Sequence, residues 1–210
     1  MTAQSAGTAG LYGPGTALVV VDVQVDFADP SGSLYVPGGE DVVPVVNEHV
    51  AAARAAGSPV VYTQDWHPPR TPHFATDGGV WPVHCVRDTP GAELHPDLDV
   101  AGPVVRKGTG GEDGYSGFSV RDPVSGETSA TRLGSILAEQ DVRRIVVVGL
   151  AGDVCVKETV LDGRRLGYDV VVPLEGTRFI EVSPGDGERA VQEMRAAGAD
   201  VRGAAAAGPV

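Results

Sequence analysis

The feature that most limits how this chain can fold is the alternation of short, continuous apolar runs with segments of helical period. "GTALVVVDVQ", "SPVVYTQD", "GPVVRKG", "RRIVVVGLAGD" and "YDVVVPLEG" each hold a valine-rich core too short for a helix. They also lack the polar alternation of a half-solvated strand, so they suit strands buried on both faces. Between and after them lie "EDVVPVVNEHVAAARAAGS", "TRLGSILAEQDV", "CVKETVLDGRRLGYD" and "GDGERAVQEMRAAGAD". In the first of these, Val43, Val46, Val50 and Ala53 are spaced by three and four, and a glycine follows as a stop signal. Pro44 falls in its first turn, where proline is tolerated. Leu133, Ile136 and Leu137 share one face of the second. "DVRG" adds a last short strand. Strands alternating with helices predict an α/β fold, a doubly wound and mainly parallel sheet with helices on both faces.

The 210 residues suit one well-buried domain, expected over 16–203. A flexible tail of small residues is expected over 1–15, and a frayed C-terminus over 204–210. Segments 28–39, 66–100 and 108–128 are irregular and too long for simple connectors. In a compact domain, loops of that length usually carry function.

Charge narrows the partners. Against 28 acidic residues stand 16 lysines and arginines, a net charge of −12 with no basic run. Such a field repels a phosphate backbone, which argues against nucleic acid. No apolar run approaches the roughly 20 residues that cross a bilayer. The opening "MTAQSAGTAGLYGPG" has neither a basic nor an apolar leader region, so no signal peptide is read there. With only Cys85 and Cys155 present, free thiols in the cytoplasm are expected. Function is then to be sought in a small-molecule site.

Polar residues punctuate the strand ends. Asp22 ends the first run, Asp65 the second and Lys107 the third, while Cys155 follows the fourth and opens a helix. Open α/β sheets bind ligands beyond the carboxyl ends of their strands. Taken singly, Asp22 reads as a turn acid, Lys107 as a solvated charge and Cys155 as a small buried hydrophobe. Four strand ends carrying reactive groups to one edge are harder to explain by packing. The helix N-terminus and a nearby lysine would favour a thiolate at Cys155. A carboxylate such as Asp22 can take the thiol proton and return it to a leaving group. Backbone N–H groups in "LAGDVC" can hold an oxyanion.

The segment "DWHPPRTPHFATDGGVWPVHCV", residues 65–86, concentrates three of the five histidines beside an aspartate and a cysteine. Asp65 and His67 are two apart, so in extended chain they point the same way. His73 and His84 return from a loop whose prolines limit its freedom. One carboxylate and up to three imidazoles make a site for a divalent ion: zinc, manganese or iron(II). Cys85 is expected to pack under the loop, and His49 and His95 to be solvated structural residues.

In order, "VVVDVQVDF", "SGSLYVPGG", "DWHPPRTPHF", "WPVHC", "KGTGGEDGYSGF" and "GLAGDVCV" resemble the nicotinamidase branch of the isochorismatase-like cysteine hydrolases, over about residues 16–180. The resemblance implies a six-stranded sheet and homo-oligomers. It implies an acid–lysine–cysteine triad at Asp22, Lys107 and Cys155, and a cis peptide between Leu150 and Ala151. It further implies oxyanion donors at the backbone N–H groups of Ala151 and Cys155. Asp65, His67, His73 and His84 would hold a divalent metal, zinc first, with iron or manganese as alternatives. The metal's open face would receive a pyridine nitrogen, and Phe27, Trp81 and Tyr115 would line the ring slot. The activity implied is hydrolysis of nicotinamide to nicotinate and ammonia through a thioester. This chain departs at "AGDVC", where "ATDHC" or "ATDYC" is the family's habit, so Gly152 and Val154 stand for a hydroxyl and a polar or aromatic residue. A same-mechanism hydrolase of another carboxamide or lactam, of the streptothricin hydrolase type, is the alternative. From another class, a non-catalytic metal- or pyridine-binding module also fits the cluster.

Overall fold

A computed structural model of the chain describes residue 8 and residues 10–203. Its strands are β1 (Thr16–Val21), β2 (Val60–Asp65), β3 (Val104–Lys107), β4 (Ser119–Arg121), β5 (Thr128–Ala130), β6 (Arg144–Gly149), β7 (Asp169–Pro173) and β8 (Asp200–Arg202). Six of them form one sheet in the order β3-β2-β1-β6-β7-β8, every neighbouring pair parallel. The chain winds outward from β1 to β3, then crosses to β6 on the other side of β1. That reversal opens a crevice between β1 and β6, the place where such sheets bind ligands.

The helices are α1 (Val25–Ala28), α2 (Val42–Ala55), α3 (Leu133–Ala138), α4 (Lys157–Arg165) and α5 (Asp186–Ala196). Successive residues of a strand point to opposite faces, and the two cores follow that period. Leu18, Val20, Val146 and Val148 pack with Val46 and Val50 of α2. Ala17, Val19, Val21 and Val147 pack with Leu133, Leu137, Val160 and Met194 of α3, α4 and α5. Each fully buried valine contributes about 1.5–3 kcal/mol. Covering on both faces explains why these strands read as unbroken apolar runs. No described helix is long and apolar enough to cross a membrane.

Three expectations change. His49 is not solvated: it is 1% exposed and lies 2.7 Å from the Tyr12 hydroxyl through Nδ1, and burial pushes its pKa down to about 4. It sits three residues after Val46, on the buried stripe of α2. Within the expected N-terminal tail, Leu11 is buried in the core and the Gly13 N–H donates to Ser58 Oγ at 3.0 Å, so Leu11 and Gly13 are tied to the domain. Residues 1–7, 9 and 204–210 lie outside the described residues, and so does the rest of both tail expectations. The segment over 108–128 includes β4 and runs into β5, the two forming an antiparallel hairpin. Its turn is held by Asp122 Oδ1, which accepts from the N–H groups of Val124 and Ser125. Short, half-exposed polar strands of this kind carry no burial period to read. His95 is half-buried.

Candidate active site

β1 delivers Asp22 and β6 delivers Cys155 to the two sides of the crevice. Val21 is in register with Gly149, and Asp65 with Lys107, so four strand ends meet at one edge. Lys107 Nζ lies 2.7 Å from Asp22 Oδ2, 2.6 Å from Asp65 Oδ1 and 3.9 Å from Cys155 Sγ. It also donates to the Gly114 carbonyl. Asp22 Oδ1 accepts from Thr63 Oγ1 at 2.6 Å. Asp22, Lys107, Asp65 and Cys155 are 0, 1, 3 and 7% exposed. Asp22, Asp65 and Cys155 each offer a ligand atom within 4.8 Å of the other two, a spacing that could hold a metal. The Lys107 ammonium, touching both carboxylates, is already the cation there.

Burial dominates the proton affinities. It pushes Asp22 up to about 6, although Lys107 pulls the other way. For Asp65 the same burial is outweighed by Lys107, His67 and His84, which hold the carboxyl well below the usual range. Burial would lower Lys107, but the two carboxylates keep it well above its ordinary value. Burial, with Asp22 and Asp65 adding to it, raises the Cys155 thiol well above its ordinary value despite Lys107. The resting sulfur is therefore a thiol, not the thiolate expected from a helix N-terminus. Burial decides it, with the two neighbouring acids adding to it, and the turn that carries the cysteine, Gly152–Val156, is a π-helical turn ahead of α4.

Beside this group the histidines converge. His67, His73 and His84 each offer a ring nitrogen within 4.8 Å of the others, and all three are buried. His73 Nδ1 is 2.7 Å from Asp113 Oδ1, and His84 Nδ1 is 2.7 Å from the Pro82 carbonyl. Both partners only accept, so each Nδ1 carries the proton and each Nε2 keeps its lone pair. Burial lowers both pKa values, that of His84 to about 4, which keeps the rings neutral as ligands must be. Neither nitrogen of His67 has a hydrogen-bond partner; Asp65 Oδ2 at 3.7 Å is too distant to serve. An orphaned, fully buried imidazole facing two free lone pairs and a carboxylate fits a divalent cation. Gly108, at φ +72°, permits the packing, because a Cβ there would lie 2.5 Å from His67 Cε1.

The two clusters share one cavity of about 380 Å³, including space open to solvent. It is lined by Asp65, His73, His84, Cys155, Ala151 and Gly114, by Phe27, Trp81 and Tyr115, and by Leu34, Val36, Val154 and Ile180. Trp81 Nε1 donates to the Tyr115 hydroxyl at 2.9 Å. The Leu150–Ala151 peptide is cis. The structure thus brings Asp22, Asp65, His67, His73, His84, Lys107 and Cys155 to one place, with Phe27, Trp81 and Tyr115 on its walls. Cys85 stays out of the cluster: fully buried, it packs in the core beneath the loop.

Sequence reasoning missed the supports. Asp113 orients His73. Gln24, wholly buried, clamps Asp65 by accepting from its N–H at 2.7 Å and donating to its carbonyl at 2.8 Å. Asp26 ties two cavity loops together, accepting from Ser33 N–H at 3.1 Å and Cys85 N–H at 2.7 Å. Gln24 and Asp26 stand two and four residues after Asp22, which was the one signal available. The departure at Gly152 also has a physical reason: a Cβ there would meet Phe179 Cε1 at 2.6 Å. The Phe179 ring occupies the room that a larger side chain would need.

A doubly wound sheet with a thiol, an acid and an ammonium at its switch point defines a class, and residues 16–206 match the isochorismatase domain. This chain belongs to that family. Among its relatives, the nicotinamidase of Escherichia coli (strain K12) is 38% identical over 204 residues, covering 89% of this chain and 93% of that one. The pyrazinamidase of Pyrococcus horikoshii, solved in complex with zinc, is 37% identical with a TM-score of 0.80, covering 90% and 99%. PnC1 from L. infantum, solved in complex with nicotinate, is 34% identical with a TM-score of 0.81, covering 89% and 91%.

Proposed function

We propose that this chain hydrolyses nicotinamide to nicotinate and ammonia, with Cys155 as nucleophile. The observation that carries this reading is that the Asp22–Lys107–Cys155 group and the His67, His73 and His84 imidazoles meet beside one cavity, which Cys155, His73 and His84 line. Asp65, His67, His73 and His84 would hold one divalent metal, zinc by preference. When bound, it supplies a Lewis-acidic contact for the ring nitrogen. A ring held between Phe27, Trp81 and Tyr115 would present its carboxamide to Cys155, an orientation effect worth several kcal/mol. Phe27, Trp81 and Tyr115 enclose the ring. The two thiols, both free, suit the cytoplasm, and a homo-oligomer completes the reading. Residues 16–203 act as one catalytic domain.

The chain's own residues carry the steps. Asp22 takes the Cys155 proton as the sulfur attacks the amide carbon. Lys107, 3.9 Å from the sulfur, offsets the charge that forms there. The backbone N–H groups of Ala151 and Cys155 hold the oxyanion, each such donor lowering the barrier by about 3 kcal/mol; that of Ala151 has no acceptor among the described residues. Asp22 returns its proton to the leaving nitrogen, and ammonia departs. Asp22 then deprotonates a water that opens the thioester, and the proton goes back to the sulfur. An ammonia-release panel of nicotinamide, pyrazinamide and a cyclic amide, on metal-stripped and zinc-reconstituted protein, tests this. Nicotinamide should lead in the zinc form. Turnover of the cyclic amide alone would replace the reading by that of a lactam hydrolase.

Because Asp22 must be ionised to accept the proton, kcat/KM should rise with pH through about 6. A flat profile from about pH 5 to 7 would remove Asp22 as the base. The stability sign is opposite. An acid whose folded pKa is raised stabilises the fold below its ordinary value of 3.8, and that contribution is lost as pH rises through about 6.

Asp113 fixes the ligand tautomer of His73. Asp113→Ala should weaken zinc binding about 10–100-fold, read by competition with a chromogenic chelator. Unchanged affinity would reduce Asp113 to a loop residue.

A further inference from the structure

The catalytic cavity does not end at its aromatic walls. Leu34, Trp81 and Ile180 line it, and the same three residues line a second space immediately outside, completed by Val80, Pro82 and Val182. This outer space encloses about 530 Å³, more than the inner one, again including room open to solvent. None of its six lining side chains is charged, in a chain of net charge −12. Val80 and Val182 are 79% and 65% exposed, among the most exposed large apolar side chains described.

The walls are held, not loose. Asp26 secures the Leu34 wall through its own carbonyl, which accepts from Leu34 N–H at 3.1 Å, and its carboxylate reaches across to Cys85 N–H at 2.7 Å in the loop that carries Trp81. The third wall is tied to the nucleophile turn itself. Gly152 N–H donates to the Arg178 carbonyl at 2.7 Å, and Asp153 accepts from Ile180 N–H at 3.0 Å and Glu181 N–H at 2.8 Å. Glu181, the charged residue between Ile180 and Val182, turns its carboxylate away to the N–H groups of Gly185, Asp186 and Gly187. Phe179 packs over Gly152, so the departure in "AGDVC" and the placement of this wall are one arrangement.

We infer that this is a preformed apolar vestibule continuous with the catalytic cavity, and that the chain favours aromatic carboxamides bearing an apolar ring substituent over the bare ring. The inference rests on the amide hydrolysis proposed above and names its substrate class. The ring sits inside, and the substituent extends between Trp81 and Ile180 toward Val80 and Val182.

The test compares nicotinamide with nicotinamides carrying a propyl group on each free ring carbon in turn, using zinc-reconstituted full-length protein. At least one propyl amide should exceed nicotinamide in kcat/KM by about tenfold, the scale of burying a few methylenes at a half-open site. Val80→Asp and Val182→Asp should remove that advantage and leave nicotinamide turnover within about twofold, since neither valine lines the inner cavity. Nicotinamide turnover with no propyl amide exceeding it overturns the vestibule and leaves the hydrolase reading intact. So does an equal loss on both substrates in the aspartate variants. A dimer in sedimentation that Val182→Asp dissociates, with substrate preference unchanged, assigns the patch to contact between copies and also overturns it. If no amide is turned over, the hydrolase reading fails first, and calorimetry with the matching nicotinates decides the vestibule. Tighter binding of a propyl nicotinate that Val182→Asp abolishes supports it, and equal binding ends it.

Discussion

Cys155→Ala will release ammonia from nicotinamide on the order of 10⁴-fold more slowly than the parent protein, or below detection. The sulfur is the one group in the cavity placed to form a bond to carbon. Asp22 and Lys107 are both fully buried and engaged with one another, so neither is free to attack in its place. Binding should survive. The imidazoles, the aromatic walls and the Ala151 N–H keep their positions, so nicotinate affinity should change by no more than a few-fold. Stability should change little as well, by about 1 kcal/mol, because a single sulfur leaves a small void in the core. A thioester adduct on the parent protein, trapped by acid quench and weighed by mass spectrometry, should be missing from the variant. Full turnover by Cys155→Ala would end the covalent mechanism and reopen the reading of a binding module.

The sheet and its helices were legible because burial on both faces of β1 and β6 forces apolar residues, mostly valine, at most positions of each strand, and α2 buries one stripe at helical spacing. Those are one-dimensional signals. The strand ends were legible for a topological reason: a doubly wound sheet sends Asp22, Asp65, Lys107 and the Cys155 turn to one edge whatever the loops do. What could not be read depends on distances. Cys155 was expected to be a thiolate, and it is a thiol because the depth of the site, with two carboxylates adding to it, outweighs one ammonium. Gln24, Asp26 and Asp113 are polar residues in or beside irregular segments, where no period marks a side chain that turns inward. His49 had a readable signal, its place on the α2 stripe, but polarity suggested solvent. The hairpin β4–β5 buries too little to leave any pattern.

Lys107→Met is expected to have the largest combined effect, on stability and on chemistry. The ammonium lies 2.7 Å from Asp22 Oδ2 and 2.6 Å from Asp65 Oδ1. Methionine keeps most of the volume and removes the charge, leaving two adjacent carboxylates out of reach of solvent. Removing one partner of a buried ion pair typically costs about 3–5 kcal/mol, which for a domain of this size lowers Tm by about 10 °C. Activity should fall on the order of 10³-fold or more, since the forming thiolate loses the cation 3.9 Å away and Asp22 becomes too reluctant to ionise. The pH dependence separates this account from simple loss of packing. Without the lysine the two acids share a proton, and the pKa of one rises further. A raised folded pKa means stability present at low pH and lost as pH rises, so the variant should gain more Tm on acidification than the parent, in which Asp22 gives that trend only through about 6. Arg106→Met, on the same strand but exposed with its guanidinium 3.7 Å over the Trp66 ring, serves as the control and should cost about 1 kcal/mol or less with no such pH response. If Lys107→Met matched that control in Tm across pH, the two carboxylates would not depend on the lysine, and the electrostatic basis of the site would fall with it.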